Sequence, residues 1–129
     1  MELDRFGTAG DLQELLSIRD RIDDLAARRL PADGLAARAE LRDHGDAFRL
    51  TLEVPGVTQE DLEIAVQGQE VVIAGHREPD VGEDAGELVF SERPHGPFQR
   101  ALTLPEPVDP EHATARLAAG LLILHLPKA

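Results

Sequence analysis

The sequence contains no cysteine, no tryptophan and no tyrosine, and its single lysine is Lys128, next to the end of the chain. The lack of cysteine excludes disulfides, thiolate metal sites and a cysteine nucleophile, and it suits a reducing compartment. With its lysine at that position, the chain has no Gly-x-x-x-x-Gly-Lys loop for binding nucleotide phosphates. Aromatic residues make up only 3% of the chain, so the core must be built largely from Val, Leu and Ile.

Signals for membranes and nucleic acids are also missing. No apolar run approaches the roughly 18 residues of a membrane span. The N-terminal stretch "MELDRFGTAGDLQELL" lacks the basic region and apolar run of a secretory signal. Lys plus Arg number 13 and Asp plus Glu 25, so the formal charge is 13 − 25 = −12, which disfavours phosphate backbones and anionic lipids. The sequence therefore predicts a soluble cytoplasmic protein that binds neither nucleic acid nor membrane.

Catalytic and metal-binding patterns are scarce. The five histidines are scattered, and no two of them stand in a His-x-His, His-x₃-His or His-Glu-x-x-His pattern. The only serines, Ser17 and Ser91, lie outside any Gly-x-Ser-x-Gly elbow. We therefore expect no enzyme, no cofactor and no metal. A metal-dependent hydrolase built from distant residues on a β-scaffold is kept as an alternative, which metal analysis would detect.

The chain divides near residue 40 into an N-terminal arm (1–39) and a second domain (40–129). In the arm, Asp11 is placed as an N-cap with Glu14 three residues later, and Pro31 and Gly34 mark an end. These signals and the three- and four-residue spacing of apolar residues predict an amphipathic helix. Its stripe either packs on its own domain or serves as a surface for other chains. The stripe comprises Leu12, Leu15, Leu16, Ile22 and Leu25.

After residue 40 the apolar period changes to two, which is typical of half-buried strands. Arg100 interrupts one such row, between Phe98 and Leu102. Turn residues separate the strands, notably Gly68-Gln69 and Gly120. This pattern predicts an all-β protein, an antiparallel β-sandwich. The predicted strands are 48–54, 61–67, 70–77, 88–90, 97–104 and two within 114–128.

Three blocks of this domain resemble the small heat shock protein family of α-crystallin-type chaperones, in its bacterial form. They are "VPGVTQEDLEIAVQGQEVVIAGHRE", "ERPHGPFQRALTLPEPVD" and "ARLAAGLLILHLPK". The resemblance implies an immunoglobulin-like sandwich, the α-crystallin domain, over 40–129. It also implies an ATP-independent holdase of the stress response, which binds unfolding client proteins and prevents their aggregation, with release left to ATP-driven chaperones. A co-chaperone module of the p23 type, acting on one folded partner, is the alternative reading.

The resemblance further implies a homodimer in which the loop strand of one subunit pairs with the sheet of the other. Arg100 would then form an intersubunit ion pair with Glu87 or Glu92, because a buried cation needs an acceptor. The alternative is an arginine that extends its charged end to solvent. The predicted dimer residues are Glu87, Leu88, Val89, Phe90, Glu92 and Arg100.

Client binding is assigned, again from the resemblance, to the apolar stripe of the arm and to a groove that we expect to be open. The groove is lined by Leu62, Ile64, Val66 and Leu117. The sequence departs from the family pattern at Ala119, where an Asn or Asp is usual, and no I-x-I triplet follows "LPK". We therefore expect dimers or small oligomers, with the turn relying on Gly120.

Overall fold

The computed structural model describes residues 14–16, 18, 37–78, 86–93 and 95–129. These residues form two antiparallel sheets that share one core, which confirms the predicted all-β sandwich. The five-stranded sheet has the order β1-β7-β8-β3-β2 and the three-stranded sheet has the order β4-β5-β6. The strands are β1 Glu14–Leu16, β2 Ala39–Asp43, β3 Ala47–Glu53, β4 Leu62–Gln67, β5 Glu70–Arg77, β6 Gly96–Thr103, β7 Thr114–Ala118 and β8 Leu121–Pro127.

Alternation along the strands builds the core. In β3 and β8, every second side chain points between the sheets, and the rows from Phe48 to Leu52 and from Leu122 to Leu126 are at most 1% exposed. The opposite sheet contributes Ile64, Val66 and Ile73 to the same cluster. The core is thus aliphatic with two Phe side chains, as the low aromatic content requires. Short 3₁₀ turns at Gln59–Asp61 and Pro110–His112 lead into β4 and β7.

Two hairpin turns have the backbone angles that two-residue β-turns demand. Gly68 has φ 62° between β4 and β5, at the predicted turn. Between β7 and β8, both Ala119 (φ 53°) and Gly120 (φ 79°) are left-handed. Two left-handed central residues are the mark of a type I′ turn. The expectation that Gly120 alone would set this turn is therefore incomplete, because Ala119 shares the unfavourable conformation.

Two predicted elements differ from the structure. Glu14–Leu16 form a strand paired with β7, and the amphipathic helix predicted for these residues is wrong. The edge of the sheet offers backbone hydrogen-bond partners, and the local sequence pattern does not reveal them. The other residues of that helix, Ile18 excepted, lie outside the described residues. Residues 88–90 are not a strand in the single chain. In addition, β2 was not predicted, because most of its residues are exposed and it carries no buried row. Among the described residues, no helix has the length and apolarity needed to cross a bilayer.

Candidate functional site

The outer edge of β7 is the first candidate interaction surface. On one side β7 pairs with β8 over five residues. On its other side it pairs with β1, in a register that places Glu14 opposite Leu117, Leu15 opposite Arg116 and Leu16 opposite Ala115. Ile18, just beyond β1, is half-buried and packs against the core cluster. The chain therefore covers the edge of β7 with its own N-terminal segment.

The residues of the predicted groove lie around this edge, but they are not exposed. Ile64 and Val66 are 1% and 0% exposed, and Leu62 is 8% exposed. Leu117 is half-buried and packs against the same cluster. The open groove expected from the sequence is thus closed in this structure, because its lining belongs to the sandwich core and its β7 edge is occupied by β1.

The predicted stripe of the arm is only partly placed. Leu15 and Leu16 belong to β1, whereas Leu12, Ile22 and Leu25 lie outside the described residues. Ile18, which the predicted stripe left out, packs against the core, and so does Ala39, while Ala37 belongs to the core cluster. Ile18 lies three residues after Leu15 and four before Ile22, so it fits the helical period although the predicted stripe left it out.

A second candidate surface is the exposed apolar triplet Leu88–Phe90. The side chains of Leu88, Val89 and Phe90 are 75%, 89% and 76% exposed. Three consecutive large apolar side chains on a surface are unusual and typical of an interaction site. The flanking carboxylates of Glu87 and Glu92 are exposed as well. The structure thus brings the predicted dimer residues of this loop together on one exposed segment.

The free edge of β2 is a matching feature. β2 ends the five-stranded sheet and pairs with β3 on one side only. It carries Leu41, which is 39% exposed. An edge strand presents unpaired backbone N–H and C=O groups to which another strand can be added. Sequence reasoning missed this strand because it is short and mostly exposed, with only Ala39 and Leu41 as apolar residues.

Arg100 lies on the inner row of β6, between buried Phe98 and half-buried Leu102. Its Nη1 donates a hydrogen bond to the carbonyl oxygen of Ala37, 3.1 Å away. Ala37 is 3% exposed and precedes β2. The half-buried guanidinium is therefore supported by a backbone acceptor that stands 63 residues away in the chain. This contact ties the small sheet to the segment that enters the large one.

The single lysine, Lys128, forms ion pairs near the C-terminal end of the chain. Lys128 Nζ lies 3.0 Å from Asp43 Oδ1, 3.3 Å from Glu106 Oε2 and 4.8 Å from the centre of the Phe48 ring. The hydrogen bond to Asp43 raises the pKa of Lys128. The backbone N–H of Gly45 and the ammonium of Lys128 lower the pKa of Asp43. The contact holds the end of β8 against the β2–β3 turn.

One cluster of potential metal ligands occurs among the described residues. The ligand atoms of Asp109, Glu111 and His112 lie within 4.8 Å of one another on the surface. Asp109 caps the 3₁₀ turn by accepting from the N–H of Glu111 at 3.0 Å, and it contacts His112 Nδ1 at 2.6 Å. That contact lowers the pKa of Asp109 and raises the pKa of His112. These side chains thus have a structural role in starting β7.

Solved structures with this arrangement include two small heat shock proteins. Heat shock protein 16.0 from Schizosaccharomyces pombe superposes with a TM-score of 0.68 at 28% identity, covering 74% of this chain and 88% of that one. A small heat-shock protein from Xylella fastidiosa superposes with a TM-score of 0.63 at 26% identity, covering 73% of this chain and 86% of that one. The sandwich fold is therefore shared with that class of protein.

Curated relatives agree with the structural likeness. Spore protein SP21 of Stigmatella aurantiaca is 38% identical over 89 residues, which are 69% of this chain and 53% of the relative. Small heat shock protein C4 of Rickettsia felis is 31% identical over 94 residues, 73% of this chain and 58% of the relative. The chain thus spans little more than half the length of these relatives. Residues 40–129 match the model of the Hsp20/alpha crystallin family, and the chain belongs to that family.

Proposed function

We propose that this chain is a molecular chaperone of the holdase type, which binds unfolding proteins without ATP and prevents their aggregation. The observation that carries the proposal is the match of residues 40–129 to the Hsp20/alpha crystallin family. The structure supports it with apolar surface and a sheet edge placed where another chain can reach them. Stress response and a cytoplasmic location are part of the same proposal.

The client surface proposed here combines the β7 edge with the N-terminal segment. An extended client segment would displace β1, pair with the β7 backbone and cover Leu117 and Leu62, the less deeply buried groove residues. Ile64 and Val66 form the floor of the groove from within the core. The stripe Leu12, Leu15, Leu16, Ile22 and Leu25 supplies further apolar contacts. Covering one Leu or Ile side chain contributes about 1.5–3 kcal/mol, so a few contacts suffice for binding without nucleotide hydrolysis.

We propose in addition that the chain is a homodimer formed by exchange of the loop that contains the apolar triplet. Leu88–Phe90 of one subunit would pair with the free edge of β2 in its partner, which closes an exposed edge and buries exposed apolar side chains in one step. Leu41 on β2 offers apolar surface for that contact. The two exposed elements are thus complementary in chemistry.

Arg100 has a proposed role in the same dimer. A guanidinium carries five N–H donors, and the bond to the Ala37 carbonyl uses one of them. A carboxylate of Glu87 or Glu92 from the exchanged loop would add a charge-assisted hydrogen bond. Because Ala37 lies two residues before β2, this pair would lie close to the edge at which the loop docks.

Charge and downstream partners complete the proposal. A net charge of −12 makes complexes repel one another, which keeps client-loaded chaperone in solution. Burial of apolar surface holds a client without an internal energy source, so release is assigned to ATP-driven chaperones. We expect dimers and small oligomers as the resting forms.

The test is suppression of heat-induced turbidity, measured with several unrelated enzymes at increasing ratios of chaperone to client. The expected result is suppression of all of them near equimolar ratios, equal with and without ATP. Activity with a single partner only would instead support the p23-type module. No suppression at any ratio contradicts the holdase.

A further inference from the structure

The outward face of the small sheet contains residues that are buried although they point away from the core. Alternate residues of β4 and β5 face the large sheet, so Ala65, Val72 and Ala74 face outward. These three residues, the outward cluster, are 0%, 1% and 2% exposed and are separate from the main core. On the outward face of the large sheet, by comparison, Ile123 is only half-buried. A sheet face that is open to water leaves its side chains partly exposed, so a further layer covers the outward cluster.

The burial of neighbouring residues shows the direction in which this layer crosses the small sheet. Ala74 lies opposite Glu63 on β4 and Gln99 on β6, and both of these residues are half-buried. Val72 lies opposite Ala101 on β6, which is exposed. The layer therefore covers β4 and β5 and reaches β6 near Gln99 rather than at Ala101.

Residues 19–36 join the two sides of the sandwich between which this layer runs. β1 and β2 are opposite edges of the large sheet, four strand spacings of about 4.8 Å apart. The bond from Arg100 of β6 to the carbonyl of Ala37 places β6 on the β2 side, so β4, the other edge of the small sheet, lies on the β1 side. Ile18 and Ala37 both contact the core. The chain between them therefore has to run from the β4 side to the β6 side.

The sequence of this segment is suited to packing on a sheet as a helix. At 100° per residue, Ile22 and Leu25 lie on one side together with Arg29, and the aspartates of 19–30 lie away from that side. Ser17 and Asp20 have the spacing of a capping box just after β1. Twelve helical residues span about 18 Å, enough to cross three strands that lie about 4.8 Å apart.

The charges of the two surfaces are complementary. In β4, β5 and β6, which the structure describes in full, the carboxylates of Glu63 and Glu70 occupy outward positions, and no outward position holds Arg or Lys. The segment 19–36 has four Arg and four Asp, so its net charge is zero in a chain of −12. Arg29, at the rim of the apolar side, is placed to form a charge-assisted hydrogen bond with such a carboxylate.

We infer that residues 19–36 dock on the outward face of the small sheet, with Ile22 and Leu25 of a helix packed against the outward cluster. The sandwich then has a third layer, and the arm folds as one unit with the domain. The inference does not depend on the holdase function. In the docked chain Ile22 and Leu25 face the sheet, so the client contacts proposed for them belong to an undocked segment.

The rate at which a buried thiol is alkylated measures the docking, since the native chain has no cysteine. Val72→Cys places one thiol in the outward cluster, where it reacts with iodoacetamide only when the cover opens. In this background, Leu25→Asp changes the apolar side of the predicted helix. The matched control Ala27→Asp places the same carboxylate on the opposite side. We expect Leu25→Asp to accelerate alkylation about 10- to 100-fold, the factor that loss of one buried Leu side chain gives, and Ala27→Asp to leave the rate unchanged.

A thiol in the core distinguishes loss of the cover from opening of the sandwich. Ile64 adjoins Ala65 on β4 but faces the core and is 1% exposed, so Ile64→Cys should react slowly with every form of the arm. Release of the Val72→Cys thiol by Leu25→Asp alone supports the inference.

Three results would overturn the docking of residues 19–36. The first is a Val72→Cys thiol that reacts fast with the native arm or ignores Leu25→Asp. The second is equal acceleration of Ile64→Cys, which would mean that the whole sandwich opens. The third is protection that disappears on dilution, which would assign the cover to a second copy of the chain.

Discussion

Replacing Val89 by Glu should dissociate the proposed dimer without unfolding the subunit. Val89 is 89% exposed, so its side chain contributes little to the stability of the single chain. If it becomes buried in the dimer, removing it loses about 1.5–3 kcal/mol of apolar burial. Because loop exchange buries two copies of Val89 in each dimer, the loss doubles to about 3–6 kcal/mol, and at about 1.4 kcal/mol for each factor of ten the dimer dissociation constant should rise about 100- to 10,000-fold. Desolvation of the new carboxylate adds to this rise.

Sedimentation velocity over a concentration series measures the dissociation constant, and a thermal melt monitors the subunit. The matched control is Gln67→Glu, which adds the same charge at an exposed position beside the β4–β5 turn. We expect the control to dimerise as the native chain does, with all three proteins showing the same β-sheet spectrum. Equal dissociation constants for Val89→Glu and the native chain would refute the loop as the dimer contact.

Three further predictions concern the fold. Ala119→Asn should raise the free energy of unfolding by about 0.5–1 kcal/mol in a urea titration, because Asn tolerates the left-handed angle that Ala resists; an unchanged or lower value would contradict this. Gly75→Ala should destabilise by about 1–3 kcal/mol in the same titration, since a Cβ there would lie 2.5 Å from the Phe98 ring, and a neutral result would count against that packing. The raised pKa of His112 means that its contact with Asp109 stabilises the fold below the ordinary value of 6.5 and is lost as the pH rises through the folded pKa. Between about pH 6 and pH 8, the melting temperature should therefore fall less in His112→Gln than in the native chain. Parallel melting profiles of the two proteins would exclude this contribution.

The sandwich could be predicted from the sequence because several of its strands, β3 above all, have one buried face. The alternating stretch 48–54 corresponds to β3, and the hairpin 61–77 to β4 and β5. Burial on one face forces apolar residues to every second position, and the reverse inference is reliable where that rule holds. The turn at Gly68-Gln69 could also be predicted, because such turns need a positive φ angle and glycine adopts one without steric cost.

The elements that were missed are those whose structure depends on a partner. None of the residues of β2 is buried, so burial places no apolar row along this strand, and its sequence gives little signal for a strand. β1 was read as helical because its leucines fit a helical period, while its pairing depends on the distant edge of β7. The acceptor for Arg100 was also hidden, because the Ala37 carbonyl is a backbone group and any residue type could supply it.

For the candidate surfaces, the structure gives the exposure of the predicted residues, and their roles stay predictions. The resemblance indicated the loop 87–92, and the structure shows its apolar triplet exposed. The same resemblance indicated an open groove, whereas the structure pairs the β7 edge with the chain's own N-terminal segment. Sequence motifs report which residues line a surface, whereas occupancy depends on competition between segments, and that competition is decided by small differences in free energy.

The central claim is that this chain binds proteins because they are unfolded and without using ATP. It is tested most directly by fluorescence anisotropy with a dye-labelled disulfide protein, compared in its native form and after irreversible reduction. We predict saturable binding of the reduced, unfolded form, no binding of the native form, and identical curves with and without ATP. Equal binding of both forms, or binding that appears only with ATP, would contradict the account.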